Sequence, residues 1–278
     1  MPLPPPAIHP CNAEVPVLLS VPHAGRDYPN WLISLSKGGE TALAALEDPL
    51  VDELVESAID KGVGAVVAQT PRAAIDCNRA EDEIDPTVVR SGPLPSLSPR
   101  ARGGLGIVPS RTQQHGYLWR RPISPAALAD RLDQAHRPYH RAIEEQIGLL
   151  LDRFGCALLI DCHSMPPPPR GTPPVIFGDC RGRTADAWLT REAIEITRRC
   201  GFEAGLNEPF AGGHIIDRHA RPARGVHALQ LELDRRCYLD DRLCDPGPGF
   251  DRVAAFMETL AVELGEALLG RQYATAAE

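Results

Sequence analysis

Two histidines stand where predicted strands run out. His23 lies in Ser20-Val21-Pro22-His23-Ala24-Gly25 and His163 in Asp161-Cys162-His163-Ser164. Ligands of open α/β sheets gather beyond the carboxyl ends of the strands. Two imidazoles so placed supply two of the three protein ligands that a catalytic zinc takes. Asp161 or Ser164 can orient the second ring. Each histidine taken alone also fits a hydrogen-bonded, partly buried side chain. The third ligand should be a carboxylate or another histidine, and Glu47-Asp48-Pro49-Leu50-Val51-Asp52-Glu53 offers carboxylates. Asp48 and Asp52 are four apart and share one helix face. Asp48 before Pro49 also has the pattern of a helix N-cap followed by proline. A capping carboxylate has a second oxygen, so both roles stand open.

Ile75-Asp76-Cys77-Asn78-Arg79 places an Asn-Arg pair near another strand end. Arginine forks onto a carboxylate with two charge-assisted bonds, and asparagine adds a donor. A salt bridge from Arg79 to Glu81 or Asp82 is the structural alternative. In Gln230-Leu231-Glu232-Leu233, alternation puts Gln230 and Glu232 on one face of an otherwise apolar strand. Polar groups there are costly unless paired or working. Glu232 is therefore a candidate general base, with a buried pairing to Arg235 or Arg236 as the alternative. Gly212-Gly213-His214-Ile215 reads as a glycine-hinged loop presenting His214 to an oxyanion or to substrate. Neither Ser164 nor Cys162 sits in a Gly-x-Ser-x-Gly elbow, which argues against a covalent route.

These residues need a scaffold. Five short apolar runs read as buried strands: Val15 to Val21, Val63 to Ala68, Ala157 to Ile160, Val175 to Phe177 and Val226 to Leu233. Four segments read as helices: Pro49 to Lys61, Pro125 to Arg153 with Pro138 kinking or dividing it, Ala185 to Cys200, and Phe250 to Leu269. The alternation predicts an α/β fold, a single domain over 1–278 with a central mixed sheet flanked by helices. Residues 80–121, rich in Gly, Pro and Arg, read as a functional loop or lid. The chain has 278 residues and a net charge of −8, so nothing electrostatic favours nucleic acid. No apolar run approaches membrane-spanning length, and the start lacks a signal-peptide pattern; a cytoplasmic location is the expectation. Eight cysteines without a Cys-x-x-Cys pair read as reduced thiols rather than zinc ligands.

The chain resembles the N-formylglutamate amidohydrolase family, which includes the deformylases of histidine breakdown. The resemblance rests on Ser20 to Gly25, the Asp48 region, Ile75 to Arg79, Arg137-Pro138-Tyr139-His140, Asp161 to Ser164, Gly212 to Ile215 and Gly225 to Arg235, in that order. The family is similar to zinc carboxypeptidases and to aminoacylases that release aspartate or glutamate. That implies a zinc-carboxypeptidase-like (phosphorylase/hydrolase-like) fold. It also implies Zn2+, or another divalent transition metal, on His23, Asp48 and His163, with Asp52 as the alternative carboxylate. Asn78 and Arg79 become the carboxylate clamp and Glu232 the base. His214 or an arginine joins the oxyanion site, while Arg102 or Arg111 meets a side-chain carboxylate. The implied reaction hydrolyses a small N-acyl amino acid, foremost N-formyl-L-glutamate to formate and L-glutamate, by a monomer or small homo-oligomer.

Two departures stand out. The carboxypeptidase relatives carry their carboxylate ligand three residues after the first histidine, where this chain has Arg26. Deformylases typically have Asp-Trp-His where this chain has Asp48-Pro49-Leu50. A metallopeptidase or deacylase acting on larger peptides, and a non-catalytic amino-acid-binding protein, are the alternative readings.

Overall fold

The runs read as strands are too apolar to face water, and they pair with one another. The computed structural model describes residues 2–90 and 98–276, with side chains up to 272. In chain order the strands are β1 (Ala7–His9), β2 (Val17–Val21), β3 (Gly64–Val67), β4 (Arg111–Thr112), β5 (Gly116–Tyr117), β6 (Ala157–Met165), β7 (Val175–Gly178), β8 (Ala204–Leu206) and β9 (Val226–Asp234). Seven form one sheet, in the order β1-β3-β2-β6-β9-β7-β8, and β4 with β5 makes a separate antiparallel ribbon. β2 is parallel to β3 and β6, and β6 is parallel to β9. β7 runs antiparallel to β9 and parallel to β8, so the sheet is mixed, as expected.

The chain divides into two compact units. One comprises Met1–Ala7, Pro22–Glu47 and Ala68–Arg141; the other comprises Ile8–Val21, Asp48–Val67 and Ala142–Glu278. The second unit carries nearly all of the large sheet. Every residue of β2, β3, β6, β7 and β9 is buried, as inner strands covered on both faces require. The helix Phe250–Ala276 packs against the helices Val51–Leu54, Glu56–Asp60 and Ala187–Arg199, and the helix His214–His219 packs against β6 and β9.

β6 and β9 each run one to five residues past their apolar runs, into Asp161-Cys162-His163-Ser164-Met165 and Asp234. Their ladder brings His163 beside Glu232 and Asp161 beside Gln230. Neighbouring strands lie about 4.8 Å apart. The polar residues therefore end up on adjacent strands inside the sheet rather than in loops beyond it.

The first unit has little regular structure and its own core. Tyr28, Leu32, Leu43, Ile75, Ile107, Leu118, Trp119 and Leu128 are among its buried members. Of the 80–121 segment, residues 91–97 lie outside the described residues. The rest is mostly turns, with the short helix Pro99–Arg102 and the β4–β5 ribbon. Gly25 is forced by packing. A Cβ there would lie 2.4 Å from the Thr70 carbonyl carbon, a distance no side chain tolerates.

The helices depart from expectation in instructive ways. Residues 49–61 form two short helices, broken at Val55. The long helix does not stop at Pro138. It passes from Pro125–Arg131 through a π turn at Leu132–His136 into Arg137–Phe154. Proline lacks the N–H that an α-helix would give to the residue four back, and a wider turn just before it accommodates that loss. His214 is not in a loop. It is the first residue of the helix His214–His219, with Gly213 as N-cap. Helices at Asn30–Leu35 and Gly39–Ala44 were not anticipated; six residues are too few to show a period.

Candidate active site

His23 comes two residues after β2 ends at Val21. Its Nε2 lies 2.9 Å from Oδ1 of Asp76. Asp76 is fully buried and also accepts from the Asn78 backbone N–H at 2.8 Å and from Arg72 Nε at 2.9 Å. Arg79 Nη2 is 3.8 Å away. Burial alone would raise the Asp76 pKa. Arg72, Arg79 and His23 outweigh it and hold the carboxyl well below the usual range. A carboxylate behind one nitrogen of a histidine fixes ring orientation and tautomer, the usual support for a metal-binding imidazole.

His163 has the same support from a different source. Its Nε2 lies 2.9 Å from Oδ2 of Asp161, two residues earlier on β6. The side chain of Asp161 is fully buried and takes a 2.8 Å bond from Ser20 Oγ, its register partner on β2. His163 Nδ1 lies 2.9 Å from Oδ2 of Asp48. Burial disfavours the imidazolium, but Asp161, Asp48 and Glu232 more than reverse it, and the His163 pKa stands well above its ordinary value. One ring thus bridges two carboxylates, with Glu232 the next residue across the ladder.

Asp48 is not the helix cap that its sequence suggests. The helix starts at Val51, and its N-cap is Leu50, in the left-handed region at φ 59°. A leucine there costs roughly 1–2 kcal/mol. The carboxylate of Asp48 turns instead to His163 and to Arg235, whose Nη2 is 3.3 Å away. Arg235 also donates to Ser164 Oγ at 3.1 Å. Arg236 pairs with Asp234. Arg235 thus has Asp48 and Ser164 among its acceptors, and Arg236 has Asp234. Glu232 accepts a 2.8 Å bond from Gln230 Nε2, so Gln230 positions the candidate base.

The remaining predicted residues are placed as follows. Arg79 is buried and pairs with neither Glu81 nor Asp82; it donates to the Leu105 and Asn78 carbonyls, while Glu81 pairs with Arg137. Asn78 is buried beside it in sequence. Asp52 lies in the first turn of the helix Val51–Leu54. Arg102 is exposed at the end of the short helix Pro99–Arg102. Arg111 Nε and Nη2 donate to the carbonyls of Gly103 and Arg102, so that guanidinium braces its own loop. Cys162 is fully buried, and burial with the Asp161 charge raises its thiol far above a reactive range. All eight cysteines are free thiols. Sequence reasoning missed the carboxylate roles of Asp76 and the link from Arg235 to Asp48, which depend on contacts between residues far apart in the chain.

The N-formylglutamate amidohydrolase family model matches residues 15–239. The chain belongs to the N-formylglutamate amidohydrolase family. Among curated relatives of this amidohydrolase family, it is similar to the N-formylglutamate deformylase of Pseudomonas putida, 29% identical over 248 residues, covering 83% of this chain and 84% of that one. The Pseudomonas aeruginosa deformylase is 29% identical over 245 residues, with 83% and 85% covered. A solved N-formylglutamate amidohydrolase from Ralstonia eutropha JMP134 superposes with a TM-score of 0.87 at 26% identity, covering 96% of this chain and 99% of that one. An Agrobacterium tumefaciens protein shares the fold at a TM-score of 0.64 and 17% identity, over 99% and 96% of the two chains. Among the described residues no helix is long and apolar enough to cross a membrane.

Proposed function

We propose that this protein hydrolyses the amide of N-formyl-L-glutamate, or of a close N-acyl amino acid, using a divalent metal held by His23, Asp48 and His163. The observation that carries the reading is the repeated support of the histidines: a fully buried carboxylate stands behind Nε2 of each. In each case Nδ1 is the nitrogen a metal would take. Each of the three residues offers one ligand atom of a type that binds zinc. A His–carboxylate–His set suits a hydrolytic zinc, which when bound polarises a carbonyl and lowers the pKa of water.

The chain's own groups supply the rest of the chemistry. Glu232, held by Gln230, takes a proton from the attacking water and passes it to the leaving nitrogen as the amide C–N bond breaks. The carbonyl carbon leaves as formate, and the nitrogen becomes the free amine of glutamate. Asn78 and Arg79 hold the substrate α-carboxylate, and Arg102 or Arg111 meets its side-chain carboxylate. His214, at a helix N-terminus, donates to the developing oxyanion. Segment 80–121 acts as the lid over a small substrate.

The names of the Pseudomonas relatives support N-formylglutamate as the first substrate to offer. The test is formate release from N-formyl-L-glutamate, with and without added zinc, alongside the metal content of wild type and His163→Ala. Zinc-dependent formate release by wild type alone is expected. No turnover of any N-formyl or N-acetyl amino acid by zinc-loaded protein would overturn the reading.

A further inference from the structure

Within the first unit lies a cavity of ≈460 Å³, lined among others by Leu3, Trp31, Leu35, Ile123, Ala127 and Arg131. None of these residues has a part in the hydrolysis described above. The volume lies within the range of small-molecule sites. What sets the cavity apart is Arg131. It is only 5% exposed, yet among the described residues no carboxylate forms an ion pair with it. Its one hydrogen bond is from Nη1 to the Ala74 carbonyl at 2.8 Å, and its guanidinium carbon stacks 5.2 Å from the centre of the Trp31 ring.

A buried guanidinium without a counter-charge is expensive, because desolvation is not repaid by pairing. Burial accordingly lowers its pKa, to about 10, with no opposing carboxylate. Two further features point the same way. The Trp31 indole N–H, on a residue of the same lining, is buried without an acceptor. Arg121, exposed, adds positive charge to the lining, against which stands one exposed carboxylate, Asp130. Ser124 and Gln134 add neutral polar groups, Gln134 Oε1 accepting from the Leu3 N–H, and the rest of the lining is apolar.

We propose that this cavity binds a small organic anion: a carboxylate that pairs with Arg131, joined to a flat apolar body that packs on Trp31, Leu35 and Ile123. The fork of Arg131 matches a carboxylate and supplies the charge the ligand needs. Cation–π contact with Trp31 holds that fork in place. The lining includes none of the proposed metal, base or carboxylate-clamp residues, and the inference does not rest on that hydrolytic reading.

The test is calorimetric titration of the full chain with phenylacetate and, separately, its neutral amide phenylacetamide. Saturable binding of phenylacetate, at least tenfold tighter than of the amide, is expected. Arg131→Gln should abolish that preference. Because Arg131 also bonds to Ala74, a second variant keeps the test valid if Arg131→Gln does not fold. Ala127→Phe fills the cavity from its lining helix, and should remove phenylacetate binding while leaving formate release from N-formyl-L-glutamate unchanged. Wild type that binds neither probe, or binds both alike, overturns the proposal. So does an Ala127→Phe protein that binds phenylacetate as wild type does, since the probe would then sit elsewhere.

Discussion

Behind His23 stands a carboxylate in a loop; behind His163 stands a carboxylate in a strand. Asp76 is 53 residues from the histidine it supports, and Asp161 is two. The environments differ as much as the spacing. Asp76 faces Arg72 and Arg79, a surplus of positive charge. Asp161 has a neutral hydroxyl, Ser20, and the imidazole itself. The loop version therefore obtains its geometry from charge, and the strand version from ladder register. In the first the carboxylate also anchors the arginine proposed to bind substrate. In the second it supports the ring from within the same strand.

That contrast predicts unequal consequences. The largest effect belongs to Asp76→Asn. It should lower metal affinity as a removed support does, by about 10- to 100-fold. It should also destabilise the fold by roughly 3–5 kcal/mol, because Arg79 stays buried without its partner. Chemical denaturation with metal titration would separate the two losses. Equal stability of Asp76→Asn and wild type would break the comparison at its root. Asp161→Asn should show the metal loss without a comparable fall in stability, measured in the same way.

Glu232→Gln tests the residue beside His163 rather than behind it. Metal content should be unchanged and turnover should fall by about 100-fold or more. Near wild-type turnover would remove Glu232 as the base. Ser20→Ala should have the smallest effect. It deletes one hydroxyl donor to Asp161, about 1 kcal/mol, and should weaken metal binding by only a few-fold. A loss as large as that of Asp161→Asn would mean that the hydroxyl, not the ladder, sets the carboxylate's position.

The strand half of the site was the legible half. His163 and Glu232 were visible because polar residues interrupt or end apolar runs, and parallel strands hold such residues in fixed register. The loop half was visible only in part. His23, Asn78 and Arg79 could be picked out by type, but nothing periodic links Asp76 to His23. Asp48 was ambiguous for a local reason. Asp-Pro ordinarily begins a helix, and here the left-handed Leu50 delays the helix to Val51. The two glycines before His214 have the pattern of a loop, whereas Gly213 caps the helix that His214 begins. Pro138 misled in the opposite direction, since a π turn absorbs what sequence rules treat as a break.

The ladder between β6 and β9 also bears on how the protein acquires its activity. The two strands are joined in register over nine residue pairs, yet lie about 70 residues apart in the chain. Parallel pairing of such distant segments closes a large loop before any contact rewards it, and is slow for that reason. His163 and Glu232 sit near the end of that ladder. Neither gains that neighbour until the two strands have paired. A refolding chain should therefore pass through compact forms with no hydrolytic competence, and activity should return together with the central sheet rather than ahead of it.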